Sequence, residues 1–433
     1  MRNKYFTLAL LVVLSFALTA CTLQDLPVVG KYFGGSGSPA SGPVSLTVWG
    51  LWEDRDIMEG LILKYQETHE NVTITYDDRS ILNPRDYKER VLTQISGSLD
   101  ADVVLVHNSW VPRITANLSP MPSSLMDVNT YKSTFYPVAA DSAVVGGNIY
   151  AVPFYYDGLV LVYNRDHFDE VGQQEPPTAW EEFRVLALKL TIWAGAGGSS
   201  SLVRGGAAIG NANNIENFTD ILGLMFAQTS VKIPDDIDGK PAADAVDFYT
   251  TFVKDDKIWD DTMPEAVTAF AQEKVSMVFV PSWRILEIIE ANPSLNFGVA
   301  PVPQALPNQP VSYGSFWMWA VPASSTNAAA AWDFINFLSA EEQELALFDA
   351  GSKIRSFGVP YARVSLAPEL SDHEVLGPLI ATAPFAKSYE IAARSGNDKA
   401  VESMKNAINK ILTTTDTDIT TTSVLTELKE GRL

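Results

Sequence analysis

Four large aromatic residues stand just beyond segments with strand-like patterns: Trp52, Trp110, Tyr155 and Trp283. Flat rings that carry a polar tip can stack on the apolar face of a sugar ring. Because ligands of open α/β sheets bind beyond the carboxyl ends of the strands, these four rings are candidates for one binding site. Packing in the hydrophobic core, or between two parts of the fold, is the alternative for each ring.

Polar residues beside these rings, and the asparagine-rich stretch 210–217 that precedes a predicted helix, could hydrogen-bond to the hydroxyl groups of a neutral carbohydrate. In chain order they are Glu53, Asn108, Ser109, Asp157, Asn217 and Arg284. Each has an ordinary structural alternative. Glu53 could be a solvated carboxylate at a helix N-terminus, Asn217 could be an N-cap, and Arg284 could be a surface charge.

No sequence pattern predicts a catalytic or metal site. The four histidines (His69, His107, His167 and His373) are scattered, and the one cysteine is not available for zinc. A glycoside hydrolase would need two carboxylates about 5–10 Å apart across the bond, and Glu53 with Asp157 is the candidate pair for that alternative. We expect a protein that is not an enzyme and that has no cofactor and no metal.

The N-terminus reads as an export signal. Arg2 and Lys4 precede an apolar segment, residues 6–18, that is too short to span a bilayer as a mature helix. Leu-Thr-Ala-Cys at 18–21 resembles the lipobox of bacterial lipoproteins, which implies cleavage after residue 20 and acylation of Cys21. An ordinary signal peptide with a chance cysteine, or an uncleaved anchor, is the alternative.

Charge and composition limit the kinds of molecule that this protein can bind. The chain has 433 residues, 46% of them hydrophobic, and a formal net charge of −21. Removal of residues 1–20 leaves 29 basic against 52 acidic residues, a net charge of −23. This balance argues against nucleic acid, anionic lipid surfaces and polyanionic ligands, although a local basic pocket could override it. With Cys21 acylated no disulfide can form, so a large core must hold the exported fold.

Residues 21–43 are predicted to be a tether because their second half, rich in Gly, Ser and Pro, cannot build a core. The folded body begins at Val44. Alternating and buried-strand patterns at 44–49, 72–76 and 101–106, separated by helical patterns at 54–68 and 84–95, predict β-α-β-α-β. The fold class is therefore α/β, and the length suggests about two domains.

Later segments give further predictions. Residues 149–153 and 159–163 are strand-like, and Thr178 with Glu181 has the spacing of a capping box that opens a helix ending at Leu190. Residues 274–280 and 316–322 are expected to be strands. The tail from 390 to 413 is expected to be helical, and the Thr-rich stretch 413–422 to be a polar connection.

Four segments of the chain form an ordered set. They are residues 46–52 (Leu-Thr-Val-Trp-Gly-Leu-Trp), 149–168 (with Tyr-Tyr-Asp-Gly at 155–158 and Tyr-Asn-Arg-Asp at 163–166), 176–183 (Pro-Pro-Thr-Ala-Trp-Glu-Glu-Phe) and 269–283 (ending Val-Pro-Ser-Trp). Together they resemble the extracellular solute-binding proteins of ABC importers, the family that includes the maltose-binding proteins. By the same resemblance, Gly314 and Ser315 form a turn that faces the ligand.

The resemblance implies a periplasmic-binding-protein-like fold of two lobes, with a hinge and a ligand cleft between them. Lobe 1 would comprise residues 44–152 and 305–350, and lobe 2 residues 153–304 and 351–433. The implied function is capture of a small polar solute, a sugar or oligosaccharide, for a membrane permease. We expect a monomer that is tethered outside the cytoplasm. A structural or protein-binding surface lipoprotein on the same fold is the alternative, together with the glycoside-acting enzyme.

Overall fold

The computed structural model describes residues 42–53, 55–97, 99–195 and 201–431. The predicted signal peptide, Cys21 and all but the last two residues of the predicted tether lie outside the described residues. Residues from Ser45 onward form one compact unit. No helix in the described ranges is long and apolar enough to cross a membrane.

The strands in the described ranges are short, and only three of them exceed five residues. In chain order they are β1 (Val44–Gly50), β2 (Val72–Asp78), β3 (Val103–His107), β4 (Val144–Val145), β5 (Asn148–Ile149), β6 (Val152–Pro153), β7 (Leu159–Asn164), β8 (Ile192–Ala194), β9 (Ser201–Arg204), β10 (Met277–Pro281), β11 (Phe297–Ala300), β12 (Ser312–Tyr313), β13 (Trp317–Ala320) and β14 (Ala386–Lys387).

The α-helices surround the sheets. In chain order they are α1 (Arg55–Gln66), α2 (Pro84–Gln94), α3 (Val111–Ile114), α4 (Val128–Thr134), α5 (Pro137–Ala143), α6 (Arg165–Glu170), α7 (Trp180–Leu190), α8 (Phe218–Gln228), α9 (Lys240–Lys254), α10 (Ala266–Ala271), α11 (Ser282–Ala291), α12 (Ala328–Leu338), α13 (Glu341–Gly351), α14 (Ala367–Leu370), α15 (Leu376–Thr382), α16 (Asp398–Thr413) and α17 (Thr421–Glu430).

The first sheet has five strands in the order β2-β1-β3-β13-β6. β1 and β3 are parallel, and β13 is antiparallel to both β3 and β6. All five residues of β3 are buried, as expected for a central strand covered on both faces. The carboxyl ends of β1 and β3 therefore share one edge of this sheet with the amino end of β13.

The second sheet has three strands in the order β10-β7-β11, and both outer strands are antiparallel to β7. All residues of β7 and β10 are buried. Trp180, Phe183, Phe252 and Phe279 form an aromatic cluster that packs α7 and α9 against this sheet. Because β7 is antiparallel to β10, the start of β7 lies beside the end of β10, where Pro281 pairs with Leu159.

Segments that connect the two sheets run side by side. The chain leaves β6 of the first sheet and enters β7 of the second through residues 154–158. It returns from β11 to β13 through residues 301–316. Gly158 bridges Gly314, and the N–H of Ser315 donates to the carbonyl of Asp157 at 3.0 Å. The N–H of Tyr156 also donates to the carbonyl of Pro360 at 3.2 Å.

Most predicted elements are present, with four differences. The strand expected at 149–153 is divided into β5 and β6. The helix α7 is capped by Glu182 rather than Glu181, since the Glu182 carboxylate accepts from the N–H groups of Thr178 and Ala179. The tail becomes helical only at Asp398. Residues 390–397 instead form a turn that is hydrogen-bonded to Asp220 and Trp110. The Thr-rich stretch, expected to be a connection, ends inside α17, which Thr420 caps by accepting a hydrogen bond from the N–H of Ser423.

Candidate functional site

A cavity of about 360 Å³ lies where the strand ends of the two sheets face each other. This volume falls within the range of about 300–1,000 Å³ that is usual for small-molecule sites. Aromatic, carboxylate and guanidinium groups share its wall. The polar and aromatic lining residues are Trp52, Glu53, His107, Phe154, Tyr155, Asp157, Asn217, Asp220, Ser282, Trp283, Glu287, Ser315, Trp317, Arg355, Phe357 and Arg394.

Trp52 presents its ring from the loop after β1. Its backbone has a φ of 57°, which is uncommon for a residue other than glycine, and its N–H donates to the Ser80 hydroxyl at 2.6 Å. The side chain is 44% exposed, and its ring meets that of Trp317 in an edge contact at 5.0 Å between centroids. A large apolar ring is thus held open to the cavity by a strained backbone.

Trp283 lies in the first turn of α11, directly after β10. Two guanidinium groups lie over its ring, with the carbon atom of Arg284 at 4.6 Å and that of Arg394 at 4.7 Å from the centroid. Arg284 is buried and pairs with Glu287 at 2.9 Å and Glu216 at 3.7 Å. Trp283 therefore lines the cavity beside two arginines. Arg284 is paired with glutamates, and Arg394 lines the cavity.

Asp157 lies at the crossing into β7 and caps α11. Its Oδ1 accepts from the N–H groups of Gly158 at 2.7 Å and Ser282 at 2.9 Å. Burial raises the pKa of Asp157 to about 6, and these hydrogen bonds oppose that rise. The carboxylate is therefore fixed by the backbone of two lining segments while it faces the cavity.

Asn217 and Asp220 face the cavity from the start of α8. The Asn217 amide donates to Asp220 at 2.7 Å, and Asp220 also accepts from the N–H of Ala393 at 2.8 Å. Burial raises the pKa of Asp220 to about 7. Asn217 is 3% exposed, and its Oδ1 has no hydrogen-bond partner within the described protein. This side of the cavity thus offers an acceptor to a donor on a ligand.

Glu53 and Tyr155 belong to the first sheet's side of the cavity. Arg355 donates to the buried carboxylate of Glu53 at 3.1 Å, so the charge of Glu53 is balanced within the wall. Burial raises the pKa of Tyr155, and the nearby Asp157 adds to the rise, so its phenol keeps its proton at neutral pH. Tyr155 can therefore donate a hydrogen bond as well as pack.

The structure brings Trp52, Glu53, Tyr155, Asp157, Asn217, Trp283 and Ser315 together in the cavity wall. The other residues singled out in the sequence lie behind that wall. They are Asn108, Ser109, Trp110, Arg284 and Gly314.

These five residues are engaged by the protein itself. Trp110 is 2% exposed, and its indole N–H donates to the carbonyl of Ser395 at 2.6 Å. The Asn108 amide donates to the hydroxyls of Ser142 and Ser388, and its carbonyl accepts from the N–H of Phe316. Their positions support the wall rather than face the cavity.

The remaining members of this group have similar positions. The Ser109 hydroxyl accepts from the Asn397 amide at 2.9 Å, and Gly314 donates from its backbone to the carbonyl of Lys387. Ser315, by contrast, reaches the cavity and shares a hydrogen bond with His107 at 3.1 Å.

Several lining residues were not among the sequence candidates: Phe154, Trp317, His107, Asp220, Arg355 and Arg394. Trp317 lies in β13, within the strand predicted at 316–322; it is 5% exposed, yet it reaches the wall. Asp220 could have been found from its position three residues after Asn217, on the same first turn of the helix. Arg355 and Arg394 lie in irregular segments that carry no periodic signal.

Titratable groups of the wall are held by contacts within the protein. No group of three or more His, Cys, Asp or Glu in the described ranges could hold a metal ion. Burial lowers the pKa of His107 to about 3, so this imidazole is neutral at physiological pH. Glu53 is held by Arg355 and Asp157 by backbone N–H groups. The wall is therefore organised to bind polar groups and apolar ring faces.

Known proteins are similar to this chain in sequence. A binding protein of Brucella abortus is 23% identical over 263 residues, which are 58% of this chain and 61% of that protein. A maltooligosaccharide ABC transporter solute-binding lipoprotein of Streptococcus pneumoniae is 25% identical over 224 residues, covering 48% of this chain and 49% of that one. The chain therefore spans less than two thirds of the length of these relatives.

Solved structures establish the fold. A cyclo/maltodextrin-binding protein complexed with maltotetraose superposes with a TM-score of 0.71 at 16% identity, covering 91% of this chain and 98% of that one. The expected α/β fold of two lobes with a hinge and an interlobe cleft is thus confirmed. The family model for bacterial extracellular solute-binding proteins matches residues 60–359, well over half of the chain. The chain belongs to the family of bacterial extracellular solute-binding proteins.

Proposed function

We propose that this protein is the exported substrate-binding component of an ABC importer and that it captures a carbohydrate in the cavity described above. One observation carries the proposal: aromatic rings, among them the exposed Trp52, and buried hydrogen-bonding groups converge at the strand ends of two facing sheets. The maltooligosaccharide ABC transporter relative of S. pneumoniae supports the transport class. Membership of the solute-binding family supports it as well.

The aromatic and the polar residues of the cavity wall together suit a sugar. Trp52 and Trp283 offer ring surface for the apolar face of a pyranose, and Phe154 and Trp317 extend that surface. The Oδ1 of Asn217 and the carboxylates of Asp157 and Asp220 are acceptors for hydroxyl donors. Trp110, Asn108, Ser109, Arg284 and Gly314 hold these groups in place.

Capture by closure requires two rigid parts. We propose lobe 1 as residues 44–152 and 305–350, and lobe 2 as residues 153–304 and 351–433. The first sheet falls in lobe 1 and the second in lobe 2. The chain would bend where it crosses between these lobes, near residues 152–153, 301–303 and 351–359, as the lobes close.

The proposed location is the outer face of the cell membrane. Cleavage after residue 20 would leave Cys21 as the acylated N-terminus, and residues 21–43 would tether the lobes to the membrane near a permease. We propose a monomer, because one chain supplies the whole cavity wall. Mass spectrometry of the membrane fraction should find an acylated Cys21; a soluble protein with a free thiol would contradict the anchor.

We propose no catalysis at this site, since the pair that a glycosidase would require is committed to structural contacts. Incubation with glycosides, followed by an assay for new reducing ends, should give no signal above that of buffer. Release of reducing ends that disappears in the E53Q variant would establish the enzyme alternative instead.

A thermal-shift screen over sugars, polyols, peptides and amines tests the main proposal. A ligand present at 100 times its dissociation constant adds about 2.7 kcal/mol to the free energy of unfolding. We expect shifts with sugars, and weaker shifts with the same sugars for the W52A variant. Shifts with peptides or amines alone would contradict the carbohydrate class while leaving a solute-binding protein.

A further inference from the structure

Arg394 occupies an unusual position at the cavity. It stands in the turn before α16, and its guanidinium carbon lies 4.7 Å from the centroid of the Trp283 ring. The side chain is exposed and lines the cavity. It is therefore a cation that a bound solute can reach.

The backbone of this turn is fixed from both sides. The N–H of Ala393 donates to the carboxylate of Asp220, and the carbonyl of Ser395 accepts from the indole of Trp110. Between them, Arg394 has a φ of 53°. A glycine or asparagine would adopt this conformation with less strain. The turn therefore holds a strained residue whose side chain projects to the cavity.

A comparison with the other non-glycine residues of positive φ helps to interpret the backbone conformation of Arg394. Non-glycine residues with positive φ in the described ranges are Trp52, Ser230, Lys257, Glu273 and Arg394. Of these five, only Trp52 and Arg394 line the cavity. Strain that persists at a ligand-binding wall is commonly tied to the placement of the side chain.

The arginines around the cavity differ in whether they form ion pairs. Arg355 is bound to Glu53, and Arg284 is bound to Glu287 and Glu216. Within the described parts of the chain, Arg394 makes no ion pair. Its electrostatic neighbours Glu287 and Glu216 are the carboxylates that Arg284 already holds. A guanidinium beside the cavity is thus left without a carboxylate of its own.

We propose that the solute carries a carboxylate, as a uronic acid residue does, and that this carboxylate pairs with the guanidinium of Arg394 beside the ring of Trp283. The proposal rests on the proposed function and narrows its substrate class from the neutral sugar expected from the sequence. A guanidinium matches a planar carboxylate through two parallel hydrogen bonds. The sugar ring would lie against the tryptophans, with its hydroxyls toward Asn217 and Asp157.

The acidic groups in the wall limit the charge of the solute. A singly charged carboxylate is matched by the one guanidinium of Arg394, whereas each further negative charge on the solute adds repulsion from Asp157, Asp220 and Glu287 in the wall. Asp220, with its pKa raised to about 7, also carries less than its full negative charge at neutral pH. A single acid group is therefore the anion that this cavity accommodates.

Titration calorimetry with matched sugar pairs tests the proposal. The probes are glucose and glucuronate, galactose and galacturonate, and mannose and mannuronate, each also as the di- and trisaccharide. We expect at least one uronate to bind the parent protein tenfold or more tightly than its neutral partner. That preference should weaken at high ionic strength.

Three variants assign the preference to Arg394. R394Q should reduce the ratio of uronate to neutral affinity to near one, and R394K should retain part of it as a point charge. R90Q, which removes an exposed arginine outside the cavity, should leave the ratio unchanged. Melting temperatures without ligand should agree among all four proteins, since both arginines are exposed.

The outcomes separate the two proposals. Equal or tighter binding of the neutral partners, or a uronate preference that survives in R394Q, would overturn the role of Arg394 and leave a sugar-binding protein. Absence of binding by every member of the panel would contradict the carbohydrate function itself.

Discussion

Two tryptophans that follow neighbouring parallel strands differ in solvent exposure: one is exposed and the other is buried. Trp52, after β1, is 44% exposed, whereas Trp110, after β3, is 2% exposed and hydrogen-bonded to Ser395. The rings of both make edge contacts with that of Trp317, at interplanar angles of 73° for Trp52 and 82° for Trp110. One ring is available to a ligand, and the other holds the turn that carries Arg394.

Alanine substitutions at these positions should separate binding from stability. W52A should bind the solute about 1–3 kcal/mol more weakly, because an exposed ring surface is lost, with little change in melting temperature. W110A should lower the free energy of unfolding by about 3–5 kcal/mol, because it leaves a buried cavity. Calorimetric affinity and thermal melting measured on both variants check this. Equal affinity of W52A and the parent would contradict the aromatic platform.

Sequence could predict which residue types gather at the site but not which side chains face it. The position beside a strand end places Trp52 and Trp110 at the first sheet, and Asp157 and Trp283 at the facing end of the second sheet. Whether each points into the cavity depends on loop geometry, such as the positive φ of Trp52, and on distant partners such as Ser395. Arg394 is brought to the site by contacts between segments far apart in the chain, so local patterns gave no indication of it.

The elements that join the two sheets are packed tightly at Gly158. A Cβ at this position would lie 2.4 Å from the carbonyl oxygen of Tyr313, in the adjoining segment. The crossing thus requires glycine for close approach of two backbones rather than for its φ angle. Any larger residue must push apart the segments that position Asp157 and Ser315.

G158A should therefore lower the free energy of unfolding by about 1–3 kcal/mol. G60A is the matched control, because a Cβ at this position in α1 meets no atom within 4 Å. That control should be neutral or stabilising by up to about 1 kcal/mol, as alanine favours helix. Denaturant unfolding of the two variants measures both values; a G158A protein as stable as the parent would contradict the packing argument.

Helix α13 carries a buried carboxylate that makes stability depend on pH. One oxygen of Glu344 accepts from the N–H groups of Ala362 at 3.0 Å and Arg363 at 3.2 Å. The other oxygen has no hydrogen-bond partner among the residues described. Burial raises the pKa of Glu344 to about 8, well above the ordinary value of 4.5, and the two N–H groups oppose the rise.

The direction of the pH effect follows from proton binding. Between about pH 4.5 and 8 the folded protein keeps a proton that the unfolded chain releases, so this group's contribution to stability falls as pH rises. E344Q removes the titration and keeps an acceptor. The melting temperature of E344Q relative to the parent should therefore increase from pH 5 to pH 8 and level off above. E67Q, at an exposed glutamate, is the control; a constant difference for E344Q would contradict the assignment.

Strong periodicity made the first elements predictable. The β1-α1-β2-α2-β3 order was evident because the strand and helix patterns each continue for five or more residues in these segments. Short elements such as β4, β6, β12 and β14 span two residues each, so they carry too little pattern to find. Their hydrogen bonds come from segments distant in sequence, which is a tertiary effect.

At the scale of the whole molecule, the segments that connect the two sheets also form part of the cavity wall. The segment at residues 389–397 adds a further link, because it hydrogen-bonds to both sides of the cavity. Its Ser395 carbonyl and Asn397 amide bind Trp110 and Ser109, while its Ala393 N–H binds Asp220. The overall class was predictable from the order of segments, whereas this link depends on folded contacts.

Closure around a solute should make the molecule more compact. Small-angle scattering of the protein, with and without the sugar that gives the largest thermal shift, should show a smaller radius of gyration when the site is saturated. The reason is that ligand contacts with Trp52 from one side and Asn217 and Trp283 from the other favour the closed arrangement over the open one. W52A at the same sugar concentration should show a smaller decrease, in proportion to its lower occupancy. Identical scattering curves at saturation would contradict closure, while the thermal shift would still establish binding to a preformed cavity.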